Sequence, residues 1–297
     1  MEPVAPLEPL SYGCMDPRRV RRALRRGAPV KPDDLLASID TMLAERLSEI
    51  LLTPTRILEL SRYPGHGANL LQHQHPKANI IAMGLVPPTN HNKAPWRLPW
   101  HRRPSIVTGD PIHLPFPRHH FDLVLANMIL HWMVDPMAAL REMRRVLKPG
   151  GILLLATMGA GTLGELKTTL AQTDQHHYGR TWIRVPEFTT LLGLGDMLTA
   201  TGFVRSVADR DFMRPMLPDT ATLLAELRRM GAGNPHRQRP PGLMGKGYPK
   251  LLATTYQHLF GQANGSIPVT LEILFGHAWK ADPSQEKPRA KTNEIPS

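Results

Sequence analysis

Apolar residues recur along this chain in two alternating rhythms, one helical and one of short buried runs. Residues 33–51, DDLLASIDTMLAERLSEIL, put Leu36, Ile39, Leu43, Leu47 and Ile50 on one helical face. Short apolar runs at Thr55–Leu60, Asn79–Gly84 and Ser105–Thr108 then read as three strands. The alternation is clearest in 121–157. FDLVLAN opens as a buried strand, and Asp135-Pro136 supplies a cap and a first helical residue. Met137, Leu140, Met143 and Leu147 share a helical face, Lys148-Pro149-Gly150-Gly151 stops the helix, and Ile152–Ala156 is a further apolar run. Strand, helix and strand in succession require a crossover, hence a parallel sheet covered on both faces.

Beyond this unit, the pattern predicts a helix within 159–178, a helix at 188–201 and a strand at 203–212. Helices at 220–230 and 249–260 precede a last strand, 268–280, that is apolar almost throughout. Near the start, Asp16 caps a basic helix to Arg26 with Val20 and Leu24 on one side. Residues 86–104 hold five prolines and the pair Trp96 and Trp100, and read as an irregular connection.

These elements divide the chain into a flexible N-terminus (1–15), a helical lid (16–52), an α/β core (53–212), a helical insert (213–265), a final core strand (266–280) and a disordered tail (281–297). A length of 297 residues with 41% hydrophobic content suits one α/β domain with an elaboration. No run approaches the ~20 apolar residues of a membrane span. The opening MEPVAPLEPL lacks the basic-then-apolar order of a secretory signal. The single cysteine, Cys14, excludes an internal disulfide and fits a reducing cytoplasm. The net charge of +11 has two readings, an acidic partner or arginines solvated on helix surfaces. The pairs His73/His75, His119/His120 and His176/His177 have no carboxylate or cysteine at ligand spacing and read as surface residues, not a metal site.

FDLV…N…HW…REMRRVLKPGG resembles the second half of a class I S-adenosylmethionine (SAM)-dependent methyltransferase. LGDMLTATGF, LLAELRRMGAGNP, GSIPVTLEILFGHAWK and the N-terminal PRRVRRAL narrow the resemblance. Together they are similar to the malonyl-[acyl-carrier protein] O-methyltransferases of biotin synthesis, and to their mitochondrial relatives that assemble complex I. The resemblance implies a Rossmann-like seven-stranded sheet with helices on both faces and a helical insert before the last strand. It also implies SAM as cofactor, methylation of the free carboxylate of a malonyl thioester, an acidic acyl carrier protein as partner, and a cytoplasmic monomer.

Carried over residue by residue, the resemblance assigns the cofactor to Glu59, Ser61, Tyr63, Gly65, Gly84, Asp110, Pro111, Ile112 and Asn127. Asp110 would accept from the adenine amino group. His131 and Trp132 would sit between cofactor and acceptor as catalytic residues, with wall packing as the alternative reading. The match departs from the family at three points. Ser61 and Tyr63 stand where the first two glycines of the turn belong, and Gly84 replaces the acid that takes the ribose hydroxyls. Each lost hydrogen bond to a charged acceptor costs roughly 1.5–3 kcal/mol, so weak SAM binding is expected. Ser61→Gly, Tyr63→Gly and Gly84→Asp together should restore at least about tenfold in affinity.

A carboxylate nucleophile is already ionised at pH 7, so the site needs a cationic clamp rather than a base. Arg18, Arg19, Arg22, Arg180 and Arg184 are the candidates. Two readings stay open: an active O-methyltransferase, or a catalytically degenerate member that serves as a binding or assembly factor. A nucleic-acid methyltransferase is disfavoured, because Asn127-Met128-Ile129-Leu130 lacks the N/D-P-P-Y/F pattern.

Overall fold

The computed structural model describes residues 15–26, 35–62, 64–87, 103–240, 242 and 245–283. The Pro-rich N-terminus, Tyr63, the Trp96/Trp100 segment and the charged tail lie outside the described residues. The strands are β1 (Arg56–Ser61), β2 (Asn79–Gly84), β3 (Ser105–Thr108), β4 (Phe121–Asn127), β5 (Leu147–Met158), β6 (Phe203–Met213), β7 (Met216–Leu217), β8 (Ile267–Pro268) and β9 (Leu271–Lys280). The helices are α1 (Pro17–Arg26), α2 (Leu35–Ser48), α3 (His66–Gln74), α4 (Pro136–Val146), α5 (Gly164–Tyr178), α6 (Leu191–Ala200), α7 (Thr220–Arg229) and α8 (Tyr248–Phe260).

The seven-stranded sheet runs β3-β2-β1-β4-β5-β9-β6, with β7 and β8 forming a separate small pair. β1 to β5 are mutually parallel, and β9 lies antiparallel to both β5 and β6. This is the Rossmann-like class I methyltransferase sheet. Strand order reverses between β1 and β4, and in such sheets the crevice beyond the strand ends at that switch is the ligand site. Alternate residues feed two apolar layers. Ile57, Leu123 and Ile152 pack towards α2, α3, α5 and α8, whereas Leu58, Val124 and Leu153 pack towards α4 and α6.

Asp135 caps α4 by accepting from the Ala138 amide at 2.8 Å, with Pro136 in the first turn. One boundary differs from the expected turn at Lys148–Gly151. Those residues already belong to β5, because Leu147 pairs with Phe121 and a register shift between Phe121 and Leu123 absorbs the extra residues. Gly150 there adopts φ 74°.

α1 lies across the carboxyl ends of the strands. Val20 and Leu24 pack with Met15 and Val86, and Trp132 borders this small cluster. The stretch after α7 ties α1 down: the Asp16 amide donates to the Pro235 carbonyl at 3.0 Å, and Met15 bridges His236. Gly231 makes this approach possible, since a Cβ there would stand 2.5 Å from the Ala23 carbonyl and 2.6 Å from the Arg62 guanidinium. Gly231→Ala should therefore lower the thermal midpoint and loosen α1, with faster amide exchange at 17–26 than in the parent.

Candidate functional site

At the switch point, Ser61 ends β1 in register with Asn127 at the end of β4. Glu59 lies two residues back on the same face. From α2, the buried Asp40 reaches over this face. It accepts from Asn127 Nδ2 at 2.6 Å and pairs with His66 Nδ1 at 2.9 Å. That bond to Asp40 is the main reason the His66 pKa is raised.

The Glu59 carboxyl has no such partner. Among the described residues no well-formed hydrogen bond reaches either of its oxygens, Ser61 Oγ or Asn127 Oδ1, all of them buried, and the Ser61 hydroxyl beside the carboxyl only partly offsets that burial. Burial in apolar surroundings, with the Asp40 charge adding to it, pushes the Glu59 pKa up to about 8. Unpaired buried polar groups are costly, and several at the ends of two neighbouring strands are what a cationic group with several N–H donors would satisfy. The ammonium of the SAM methionine end fits that description. Gly65, the one family glycine kept in the turn, has φ 143°. At the other end Asp110 follows β3 with its side chain partly open, 3.8 Å from the Arg21 guanidinium. Pro111 is buried and Ile112 is half-buried beside it.

The middle of the crevice is different. A Cβ at Gly84 would lie 2.5 Å from Pro64 Cδ and 3.1 Å from the Arg62 carbonyl. The turn after β1 therefore occupies the space in which a ribose-binding acid would grow. The residues present fit SAM at its amino-acid and adenine ends and leave the ribose without its usual anchor. The gain expected of the triple change therefore depends on Ser61→Gly and Tyr63→Gly reopening the turn, and not on Gly84→Asp by itself. Alone it should destabilise the fold by about 1–3 kcal/mol, as overpacking does, with no gain in SAM affinity. Thermal melts with and without SAM test this; a tighter complex at unchanged stability would contradict it.

Beside this crevice lies a cavity of about 350 Å³. Its walls are mainly apolar, from α2, α5, α7, α8 and the segment at 184–188, with His131 and Trp132 on the side of the strand ends. Its charged lining residues are Arg62, Arg184 and Arg228; no Asp or Glu among the described residues lines it. His131 packs against Trp132 at 5.3 Å and Phe188 at 5.9 Å between ring centroids. Burial, and secondarily the nearby Arg62 charge, drives the His131 pKa down to about 3. The imidazole is thus neutral at pH 7.

The three arginines are held differently. Arg184 is already committed: its guanidinium lies 2.7 Å from the fully buried Asp174, which also accepts from the Tyr248 hydroxyl at 2.6 Å. Arg228 is exposed at the rim. Arg62, only 3% exposed, donates to the Leu24 carbonyl at 3.1 Å. Of the arginines expected to clamp substrate, only Arg184 lines the cavity. Arg180 is exposed, its guanidinium 4.6 Å above the Trp182 ring. Arg18 is exposed on α1, and Arg19 and Arg22 border a second cleft beside the cavity. Arg62 escaped the sequence reading because it stands inside the glycine turn. Asp40 left a signal, an acid between Leu36 and Leu43 on the apolar face of α2.

Residues 63–155 match the family described as a methyltransferase domain. A malonyl-[acyl-carrier protein] O-methyltransferase of Halorhodospira halophila is 32% identical over 276 residues, covering 92% of this chain and 91% of that protein. Its counterpart in Legionella pneumophila is 32% identical over 245 residues, 82% of each chain. Among solved structures, the YcgJ protein of Bacillus subtilis aligns with a TM-score of 0.55 at 16% identity, covering 82% of this chain and 99% of that one. A putative methyltransferase of Bacillus halodurans aligns with a TM-score of 0.54 at 17% identity, covering 81% and 99%. At such identities these two structures speak to the fold alone.

Proposed function

We propose, from the premise that this chain belongs to the malonyl-[acyl-carrier protein] O-methyltransferase family, that it is a SAM-dependent enzyme methylating the free carboxylate of a malonyl thioester on an acyl carrier protein. The observation that carries this reading is the cavity beside the strand ends, whose charged lining residues among those described are all arginine. An anionic acceptor suits that lining; an amine acceptor, cationic at pH 7, does not. We further take the enzyme to work as a monomer in the cytoplasm. No described helix is long and apolar enough to cross a membrane.

SAM, when bound, supplies the electrophilic methyl group. Glu59, Ser61 and Asn127 would hold its cationic amino-acid end, and Asp110 would accept from its adenine. On the acceptor side Arg62 turns the malonyl carboxylate towards the strand ends. His131, neutral because its pKa is held near 3, can donate one N–H without adding a charge. The apolar walls and Trp132 exclude water, so the carboxylate keeps its nucleophilicity and its orientation. No general base is required of this chain, which agrees with the absence of a carboxylate among the described cavity residues.

The buried Glu59 carboxyl, with no cationic partner among the described residues, favours this reading over a degenerate binding protein, in which it would be an uncompensated cost. Calorimetry in the presence of S-adenosylhomocysteine tests the acceptor assignment. A malonyl thioester should bind at least about tenfold more tightly than the acetyl thioester of the same carrier, as expected for one charge-assisted contact. Equal affinities would remove the case for a cavity that reads carboxylate.

A further inference from the structure

Next to the acceptor cavity lies a second cleft of about 410 Å³, between α1 and the stretch following α7. Arg19, Arg22 and Arg26 line it from α1, and Arg228 and Arg239 line it from the opposite wall. Arg19 is shared with Asp16 at 3.2 Å. Among the described residues, Arg22, Arg26, Arg228 and Arg239 have no acidic partner. Gly231 and Gly233 form part of the floor, and Ala23 and Asn234 complete the described lining, so no acidic side chain among the described residues faces an incoming anion there.

Two features separate this cleft from a solvated basic face. The arginines come from segments more than two hundred residues apart and converge from both walls, which focuses their field into a concave space. The cleft also adjoins the cavity, because Arg228, Gly233 and Asn234 line both. An elongated ligand with its carboxylate end in the cavity would run out past Arg228 into the cleft. Converging guanidinium groups match phosphate oxygens in pairs, which a diffuse acidic protein surface does not require.

We propose that this cleft is a phosphate-binding subsite, and that its occupant is the phosphodiester of the phosphopantetheine arm bearing the malonyl group. The proposal rests on the malonyl-thioester reading above and extends it from the reacting end to the far end of the arm. The same chemistry is offered by the arm on a carrier protein and by the arm of free coenzyme A.

The test is a binding measurement that needs no turnover. Calorimetry compares 4′-phosphopantetheine with pantetheine, on the parent protein and on an Arg26→Gln/Arg239→Gln variant checked for an unchanged thermal midpoint. In the parent, the phosphate should improve affinity by about tenfold or more, and raising the salt should erode that advantage. In the variant the advantage should shrink to less than about threefold. Inorganic phosphate should compete with 4′-phosphopantetheine but leave pantetheine binding unaffected.

Equal binding of the two compounds by the parent would overturn the subsite, and so would a phosphate advantage that survives in the variant. If the phosphate advantage is present but no malonyl thioester is ever methylated, the subsite stands and the catalytic reading fails. The source is separated by the same variant with holo acyl carrier protein and with coenzyme A. Equal losses for both assign the cleft to phosphate alone. A loss confined to the carrier protein would assign these arginines to its protein surface and overturn the phosphate assignment.

Discussion

Arg62→Met should lower methyl transfer to malonyl thioester by about a hundredfold, the scale on which misplacing a reactant costs rate. Most of that loss should appear in kcat/KM for the acceptor, with SAM affinity little changed. The fold should also lose about 1–3 kcal/mol, because the Leu24 carbonyl forfeits a charged donor. Activity and stability can be separated in two ways. Arg62→Lys keeps the charge and should recover part of the acceptor affinity. In Arg62→Met the His131 pKa should rise, because a cation that holds it down has gone. A proton-detected titration of the histidines reads that directly. Full activity in Arg62→Met would move the carboxylate clamp elsewhere in the cavity.

Glu59→Gln should have opposite effects on stability and on cofactor binding. The folded pKa of Glu59, about 8, lies above its ordinary value of 4.5. Between those values the native state keeps a proton that the unfolded chain releases, so stability falls as pH rises from about 4.5 to 8. The variant should therefore match the parent near pH 4.5 and exceed it above pH 8, by at most about 4–5 kcal/mol. SAM should bind the variant roughly ten- to a hundredfold more weakly, the worth of a charged hydrogen bond. In the parent, binding of the cationic end should release a proton at pH 7, visible as a dependence of the calorimetric heat on the buffer. Loss of neither affinity nor proton release in Glu59→Gln would exclude Glu59 from the cofactor site.

The strands were legible because β1, β4 and β5 carry continuous apolar runs buried on both faces, and the helices because burial recurs at helical spacing along α2 and α4. The cap at Asp135 could be read for the same reason, since a local hydrogen bond joins residues three apart. What escaped is what depends on distant segments meeting. Asp40 and Asn127 are 87 residues apart, and only the packing of α2 over β1 and β4 makes them partners. Ser61 and Gly84 could be seen to depart from the family pattern. That Pro64 closes the space above Gly84, so that the lost acid cannot simply be put back, depends on how the turn folds over β2. Arg62 and Arg228 drew no reading from the sequence, because only the closure of α1 and the segment after α7 around them makes them cavity residues. Arg180 and Arg184 were four residues apart in sequence and equivalent as text, yet Asp174 draws one into the cavity wall while the other stacks on Trp182 in solvent.

The account stands or falls on the identity of the methylated atom. Malonyl-loaded acyl carrier protein, incubated with this enzyme and SAM, should gain the mass of one methylene on the acyl group. Fragmentation should place it on the terminal carboxylate, and acetyl-loaded carrier protein should gain nothing. A malonyl carrier protein of unchanged mass at saturating SAM, or equal methylation of the acetyl form, would contradict the account.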